Sequence, residues 1–456
     1  MALYSRGMTD KAVEALRSFL RERLILVDEP GFADAVRPWN AAVTTRPAVI
    51  AQCRDTAEIC AAVDAAQEAG LPLSVRSGAM DWGGRALRDG GLVIDLGGMR
   101  GVAVDPAGRT ATVQGGALTT DLLEAAAPHG MVTATGVVRS IGLAGLTAAG
   151  GYGPLIGRYG LTLDNLLGAE VVLADGSTVT AGPDDDAELF WALRGGGCNF
   201  GVVTSLRYRL HHQPVMLAGM LMFPFAEARA VLSGYAEIAA TAPDELTAMT
   251  GFLPGPDGSP LVFVCPFWSG DPATGEQYVG RFRALGHPIV DQIGVMPYQA
   301  AVGMFDANAV GGNNYLLRTR WMPDVSPIAV DALISGAAAL TSPYSALVVN
   351  RFHGAAARVD PGATAFAQRV PHQVVEIIAI WPPGTAEDPH RAWADSVAAR
   401  LDPVALPGGY PSLLGPDDDV RALQSYDGNL DRLLAAKHRY DPENIFASAV
   451  PSLISA

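Results

Sequence analysis

Glu376 stands in the run Val374-Val375-Glu376-Ile377-Ile378, and at the period of two that a strand imposes it shares a face with Val374 and Ile378. Apolar surroundings push a carboxylate pKa upward, which makes a general base for use near neutral pH unless an arginine such as Arg318 or Arg320 pairs with it. His353, in Asn350-Arg351-Phe352-His353-Gly354, is either an acid or base or a strand-end imidazole bonded to backbone. Tyr315, in Asn314-Tyr315-Leu316-Leu317, either donates to a substrate carbonyl or packs across a strand. These three form the candidate catalytic set. The pair His211-His212 has no third ligand nearby, so no metal site is expected.

Three glycine-rich stretches offer a second kind of chemistry: VRSGAMDWGG from Val75, GLAGLTAAGGYGPLIGRYGLTLDN from Gly142, and LRGGGCNFGVVT from Leu193. Glycines let successive amides point into one concavity, and such a nest holds a diphosphate with few cations. With a net charge of -15, amide dipoles and Arg76 would have to supply the positive potential. The GGYGPLIG segment is not a dinucleotide-binding fingerprint, because Pro154 follows the turn and no strand-turn-helix frame surrounds it.

The same charge argues against a nucleic-acid groove or an anionic membrane, leaving a small molecule as the expected partner. At 49% hydrophobic and 17% charged residues, the 456-residue chain is a well-buried globular protein rather than a disordered one. Its first residues lack an apolar core of signal-peptide length, and no run approaches a membrane span. Cys53, Cys60, Cys198 and Cys265 show no metal-like spacing, so reduced thiols in the cytoplasm are expected.

Positioning these residues requires two kinds of architecture. Up to Leu210 short strands alternate with helices: a helix between Asp55 and Gly70, strands at LPLSV, GLVIDLGGM and TATVQGGA, a helix ending at Gly130, and a hairpin around Asp175-Gly176. Beyond Gln213-Pro214 come longer apolar strands with helices between them, which predicts an antiparallel sheet covered by helices. The predicted division is 1–210, 211–410 and a segment 411–456 that returns to the first unit.

The ordered set VRSG, DWGGRALRDGGLVIDLGGMR, GLAGLTAAGGYGPLIGRYGLTLDN, LRGGGCNFGVVT and YDPENIF resembles the flavin-linked oxidases of the vanillyl-alcohol-oxidase class, in the branch containing berberine bridge enzyme and 6-hydroxy-D-nicotine oxidase. The resemblance implies an α+β protein: an FAD-binding domain of two α/β subdomains, and a substrate domain whose large antiparallel sheet roofs the flavin. It implies that Arg76, Ser77, Gly78, Ala79, Met80 and Asp81 wrap the diphosphate and ribityl chain. Gly142, Gly145, Gly150, Gly151 and Gly153 would form a second wall, with Asp164 and Asn165 ordering the next turn. Gly195 to Gly197 and Val202 would line the adenine and ribityl side.

Three departures stand out. The family's first nest usually reads Gly-Gly-His, the imidazole forming a covalent tether to the flavin, and here Ala79 and Met80 occupy those places. A thioether adduct would be a sulfonium, itself a good leaving group, so Met80 is no anchor. The cysteine of bicovalent members corresponds to Val138, and after YDPENIF the positions Ala449 and Pro451 offer no side-chain donor. The expectation is non-covalent FAD in an oxidoreductase that takes hydride from a hydrophobic, specialised-metabolite-like molecule and is reoxidised by dioxygen. The rival expectation is a redox-neutral cyclase or isomerase, with flavin structural or absent.

Overall fold

A computed structural model describes residues 10–415 and 417–446. The first strands are β1 (Leu24–Leu26), β2 (Val49–Gln52), β3 (Leu73–Arg76) and β4 (Leu92–Asp95), in the order β1-β2-β4-β3 with β4 parallel to both β2 and β3. The helix Thr56–Glu68 links β2 to β3. Its N-terminus is capped by the Asp55 carboxylate accepting from the Glu58 amide, and Gly70 follows its end at a φ of 62°.

A second, wholly antiparallel sheet contains β5 (Val102–Asp105), β6 (Thr110–Gln114), β8 (Leu166–Val172), β9 (Thr178–Ala181) and β10 (Val202–Arg209) in the order β5-β6-β10-β8-β9. The predicted hairpin is β8–β9, with Gly176 at a φ of 76°. β7 (Met131–Val132) and β11 (His211–His212) form a separate short antiparallel pair. His211 is consumed structurally: its Nε2 is 2.7 Å from Asn165 Oδ1 and its ring stacks on Tyr159.

The third sheet has nine strands: β12 (Met216–Ala218), β13 (Leu221–Pro224), β14 (Leu246–Pro254), β15 (Pro260–Trp268), β16 (Val290–Asp291), β17 (Gly294–Met296), β18 (Asn314–Met322), β19 (Ala346–Phe352) and β20 (His372–Trp381). One face is covered by helices, where Val231, Leu232, Leu333, Val397 and Leu401 share a core with Val375 and Ile377. The opposite face meets the glycine-rich unit: Met216, Met249, Phe263 and Cys265 pack with Leu123 and Leu155, and Trp321, Phe352 and Val374 pack with Ile156, Leu161 and Leu163. The run VMLAGMLMFPF is two strands rather than one, broken at Gly219, where an added Cβ would lie 2.3 Å from the Gln292 carbonyl oxygen. β14 was not anticipated, yet it joins β15 to β19 at the centre of the sheet.

The helix Leu430–Tyr440 buries Leu433, Ala436 and Tyr440 in the core of the five-stranded sheet. Its Lys437 ammonium is buried and donates to the Asn199 carbonyl in the third glycine stretch and to Asp441, whose carboxylate accepts from the Ile445 and Phe446 amides. The sheets are latched by Asn40, 3% exposed, whose Nδ2 donates to the Trp82 and Tyr315 carbonyls while its Oδ1 accepts from the Tyr315 amide. Asn40→Ala leaves those buried groups unpaired and should lower stability by about 2 to 4 kcal/mol, measured by urea unfolding. An unchanged transition would show that the latch contributes nothing.

Candidate functional site

β3 delivers the chain into the first nest, and the geometry corrects one expectation there. The Arg76 guanidinium does not supply free positive charge, because it is buried and donates to Asp95, at 2.7 Å, and to the Ala35 carbonyl. Ser77 Oγ donates to the Gly115 carbonyl. The amides of Gly78, Ala79, Met80 and Asp81 make no hydrogen bond among the described residues, so four consecutive donors remain for a ligand. Asp81 shapes the turn by accepting from the Gly83 and Ala86 amides. Ala79 has a φ of 59°, left-handed backbone for which glycine is the natural residue, and Met80 is half-buried.

The second nest approaches the first backbone to backbone. A Cβ on Gly78 would lie 2.4 Å from the Gly142 nitrogen, and one on Gly142 would lie 2.5 Å from the Gly78 nitrogen. Gly142 caps the helix Leu143–Ala149, whose first turn includes the exposed Gly145, with open space where a Cβ would project. Gly150 and Gly151 take φ values of 139° and 91°, and Gly153 passes so close to Thr135 that a Cβ would lie 1.7 Å from its carbonyl oxygen. Asn165 donates to the Tyr159 and Leu161 carbonyls, and Asp164 is bidentate to Arg369 at 2.9 Å.

Gly197 joins the third stretch to the second by donating to the Ala148 carbonyl, at a φ of 73°. Val202 is fully buried in a core with Leu96 and Met99, and Val138 packs against the cluster containing Leu123 and Tyr298. Cys198 carries a thiol that burial pushes up to about 11, which keeps it protonated. Ala449 and Pro451 lie outside the described residues. Four free amides, a glycine wall and an open first helical turn fit a phosphate-bearing dinucleotide such as FAD.

On the nine-stranded sheet, Glu376 shares with Val348 and Val374 the face that packs against the glycine-rich unit. Thr319 and Val348 stand directly opposite it on β18 and β19, whereas Arg318 and Arg320 pair with Ile377 and Val375 and so project to the helix-covered face. Arg318 binds Asp395 and Asp417 there, and Arg320 binds Asp402. Among the described residues no arginine therefore pairs with Glu376. Burial pushes its carboxyl up to about 7, opposed by the Asn350 amide, which donates to Oε1 at 2.7 Å.

The structure does not bring the three candidate catalytic residues together, and two expectations are corrected. The Tyr315 hydroxyl donates to the Val310 carbonyl and the ring stacks on Trp39 at 4.0 Å, which makes it a loop anchor. His353 lies against Gly157, with its Nε2 3.2 Å from Thr247 Oγ1, and burial lowers its pKa to about 3. Next to Glu376 are instead residues that the sequence reading passed over. Tyr152 and Tyr410 interact electrostatically with its carboxyl, and Tyr152 packs against Tyr410, Phe352, Phe366 and His372. His372 Nδ1 donates to the Val370 carbonyl, leaving Nε2 to accept from the Tyr152 hydroxyl at 2.9 Å, and burial lowers the imidazole to about 4. The available signal was Tyr152 itself, an aromatic inside a glycine nest.

Residues 47–182 match the model of an FAD binding domain, and residues 416–450 match berberine and berberine-like proteins. The chain is 30% identical to (R)-6-hydroxynicotine oxidase of Paenarthrobacter nicotinovorans, over 94% of this chain and 95% of that one. Its fold matches the crystal structure of 6-hydroxy-D-nicotine oxidase from Arthrobacter nicotinovorans with a TM-score of 0.83 at 29% identity, covering 94% and 97% of the two chains. It matches berberine-bridge-enzyme-like 1 of Physcomitrella patens at 0.87, with 20% identity over 98% and 100%. The fold and nests thus define an FAD-dependent oxidoreductase. The chain belongs to the berberine-bridge-enzyme-like family that includes 6-hydroxynicotine oxidase.

The glycines differ in what they tolerate. Gly153→Ala should abolish stable folding or shift unfolding strongly downward, because its Cβ meets backbone, whereas Gly145→Ala should leave the apoprotein's thermal midpoint unchanged or raised. Equal effects in a thermal melt would contradict the nest geometry.

Proposed function

We propose that this oxidoreductase acts on a small, apolar organic molecule of specialised metabolism, with FAD held by backbone amides and without a covalent bond. The observation that carries the reading is Glu376, a carboxylate raised to about 7 in a cleft where both nearby arginines are turned away. Gly78 to Asp81, Gly142 and Gly145 are the residues that would hold FAD, and FAD supplies the two-electron acceptor, with dioxygen as the terminal oxidant. Glu376 takes the proton from the substrate oxygen or nitrogen next to the carbon being oxidised. Asn350 holds the carboxylate in place.

The apolar substrate is supported by the neighbours of Glu376 on its own sheet face, Val348, Val374 and Ile378, none of which carries a polar group. We read residues 1–210 and 411–456 as the FAD-binding unit and 211–410 as the substrate unit. Four free cysteines support a reducing, cytoplasmic setting. No helix among the described residues is long and apolar enough to cross a membrane.

Non-covalent binding is supported by Ala79, Met80 and Val138, none of which can form a stable bond to the flavin. Acid precipitation should release all yellow colour, and the denatured chain should have the mass of the polypeptide alone; retained flavin mass would overturn this. For the reaction, the enzyme is mixed anaerobically with 6-hydroxynicotine enantiomers, then with apolar aromatic alcohols and amines, scoring bleaching of flavin absorbance. With a bleaching substrate, kcat/KM should fall about tenfold per pH unit below about 7 and level off above it, since the base must be deprotonated. Glu376→Gln should lose about 100-fold or more and lack that limb. Product formed without bleaching or oxygen uptake would support the redox-neutral alternative.

A further inference from the structure

Glu376 has two oxygens, and the protein treats them differently. Oε1 accepts from Asn350 Nδ2 at 2.7 Å, whereas no partner is found for Oε2 among the described residues. Asn350 is on β19, beside Val374 rather than opposite Glu376, so its amide reaches the carboxylate diagonally across the strands. Directly opposite Glu376, Thr319 is fully buried and its Oγ1 has no partner among the described residues. An amide N–H can only donate, so the oxygen it holds is a poor place for a proton. The other oxygen is left to exchange one.

We propose that Asn350 is a positioning residue that divides the labour of the Glu376 carboxylate, fixing Oε1 as a permanent acceptor and reserving Oε2 as the atom that takes the substrate proton. This rests on the reading of Glu376 as the base, and it adds which atom acts and what selects it. The balance is simple: a proton leaves the substrate heteroatom and forms an O–H bond at Oε2, and the carboxylate becomes a neutral acid still able to accept from Asn350 through Oε1.

The groups facing Glu376 leave Asn350 as the main opponent of desolvation. Tyr152 and Tyr410 are neutral phenols whose pKa values burial raises, and His372 is a neutral imidazole bonded to Tyr152. Arg318 and Arg320 are on the other face, and Arg369 is bidentate to Asp164. Removing the amide donor therefore removes the one hydrogen bond that favours the charged carboxylate.

The test reads the carboxyl directly in the FAD-loaded protein by pH-dependent infrared difference spectroscopy, the Glu376 band being the one absent from Glu376→Gln. In the wild type the protonation midpoint should lie near 7. In Asn350→Leu it should rise by about one pH unit, the size expected when a charge-assisted hydrogen bond is lost. Asn350→Asp, nearly isosteric and a safeguard against misfolding of the first variant, should raise the midpoint further because two carboxyls then share one proton. An unmoved midpoint in both variants overturns the proposal. A lowered midpoint in Asn350→Leu overturns it as well, since it would mean that the amide oxygen accepts from a protonated Glu376. The infrared result does not depend on catalysis: full activity of Glu376→Gln alongside the predicted shifts would remove the catalytic base and leave the amide contact standing.

Discussion

Two stretches of backbone meet at Gly78 and Gly142 at a separation no Cβ could occupy, and the cofactor cleft depends on that contact. It brings the end of β3, with its four unbonded amides, beside the first turn of the helix Leu143–Ala149. A side chain at either position would wedge the segments apart and splay the donors. The contact also explains how a chain of net charge -15 can attract a diphosphate. Arg76, the cation best placed by sequence, is paired with Asp95, which leaves the oriented amide dipoles of the nest as the source of attraction in the proposed reading.

The roof solves a different problem, keeping a carboxylate basic inside a protein with an arginine on either side of its partner on the next strand. Strand parity is the solution. Thr319 opposes Glu376 while Arg318 and Arg320 oppose Ile377 and Val375, so the guanidinium groups reach Asp395, Asp417 and Asp402 on the helix-covered side. A one-residue slip of β18 would turn an arginine toward the carboxylate and hold it ionised at low pH, removing its use as a base near neutrality. Register is thus a chemical variable in this sheet as well as a packing one.

Much of this could be read from the residues because the signals were local. Asp55 and Gly70 bound a helix, Asp175-Gly176 turn a hairpin, and the apolar runs around Glu376 make a strand with the predicted facing. The central strand β14 escaped because Leu246–Pro254 carries Thr247, Thr250 and Gly251 without clean alternation, and its strand character comes from pairing on both sides. Tyr315 and His353 look like site residues in one dimension, but their hydroxyl and imidazole are used by Val310 and Thr247. Tyr152 and Tyr410 are more than 250 residues apart in sequence, and local pattern carries no trace of their contact at 4.7 Å. Ala79 departs from the family pattern in the sequence, and the structure gives the departure a physical meaning: its left-handed backbone is the conformation for which glycine is preferred, at a cost to alanine of about 1 kcal/mol.

The choice of base follows from what the other titratable groups near the cleft are already doing. His372 is committed at both nitrogens, donating to Val370 and accepting from Tyr152, and its protonation would break the second bond inside an apolar cluster. That acceptance directs the only proton of the Tyr152 hydroxyl to His372. The Tyr410 hydroxyl accepts from the Gly151 amide, and burial raises its pKa away from neutrality. Each of these groups keeps one protonation state across the neutral range, while the Glu376 carboxyl changes state near 7. Among these side chains, proton exchange near neutral pH is confined to the one carboxylate.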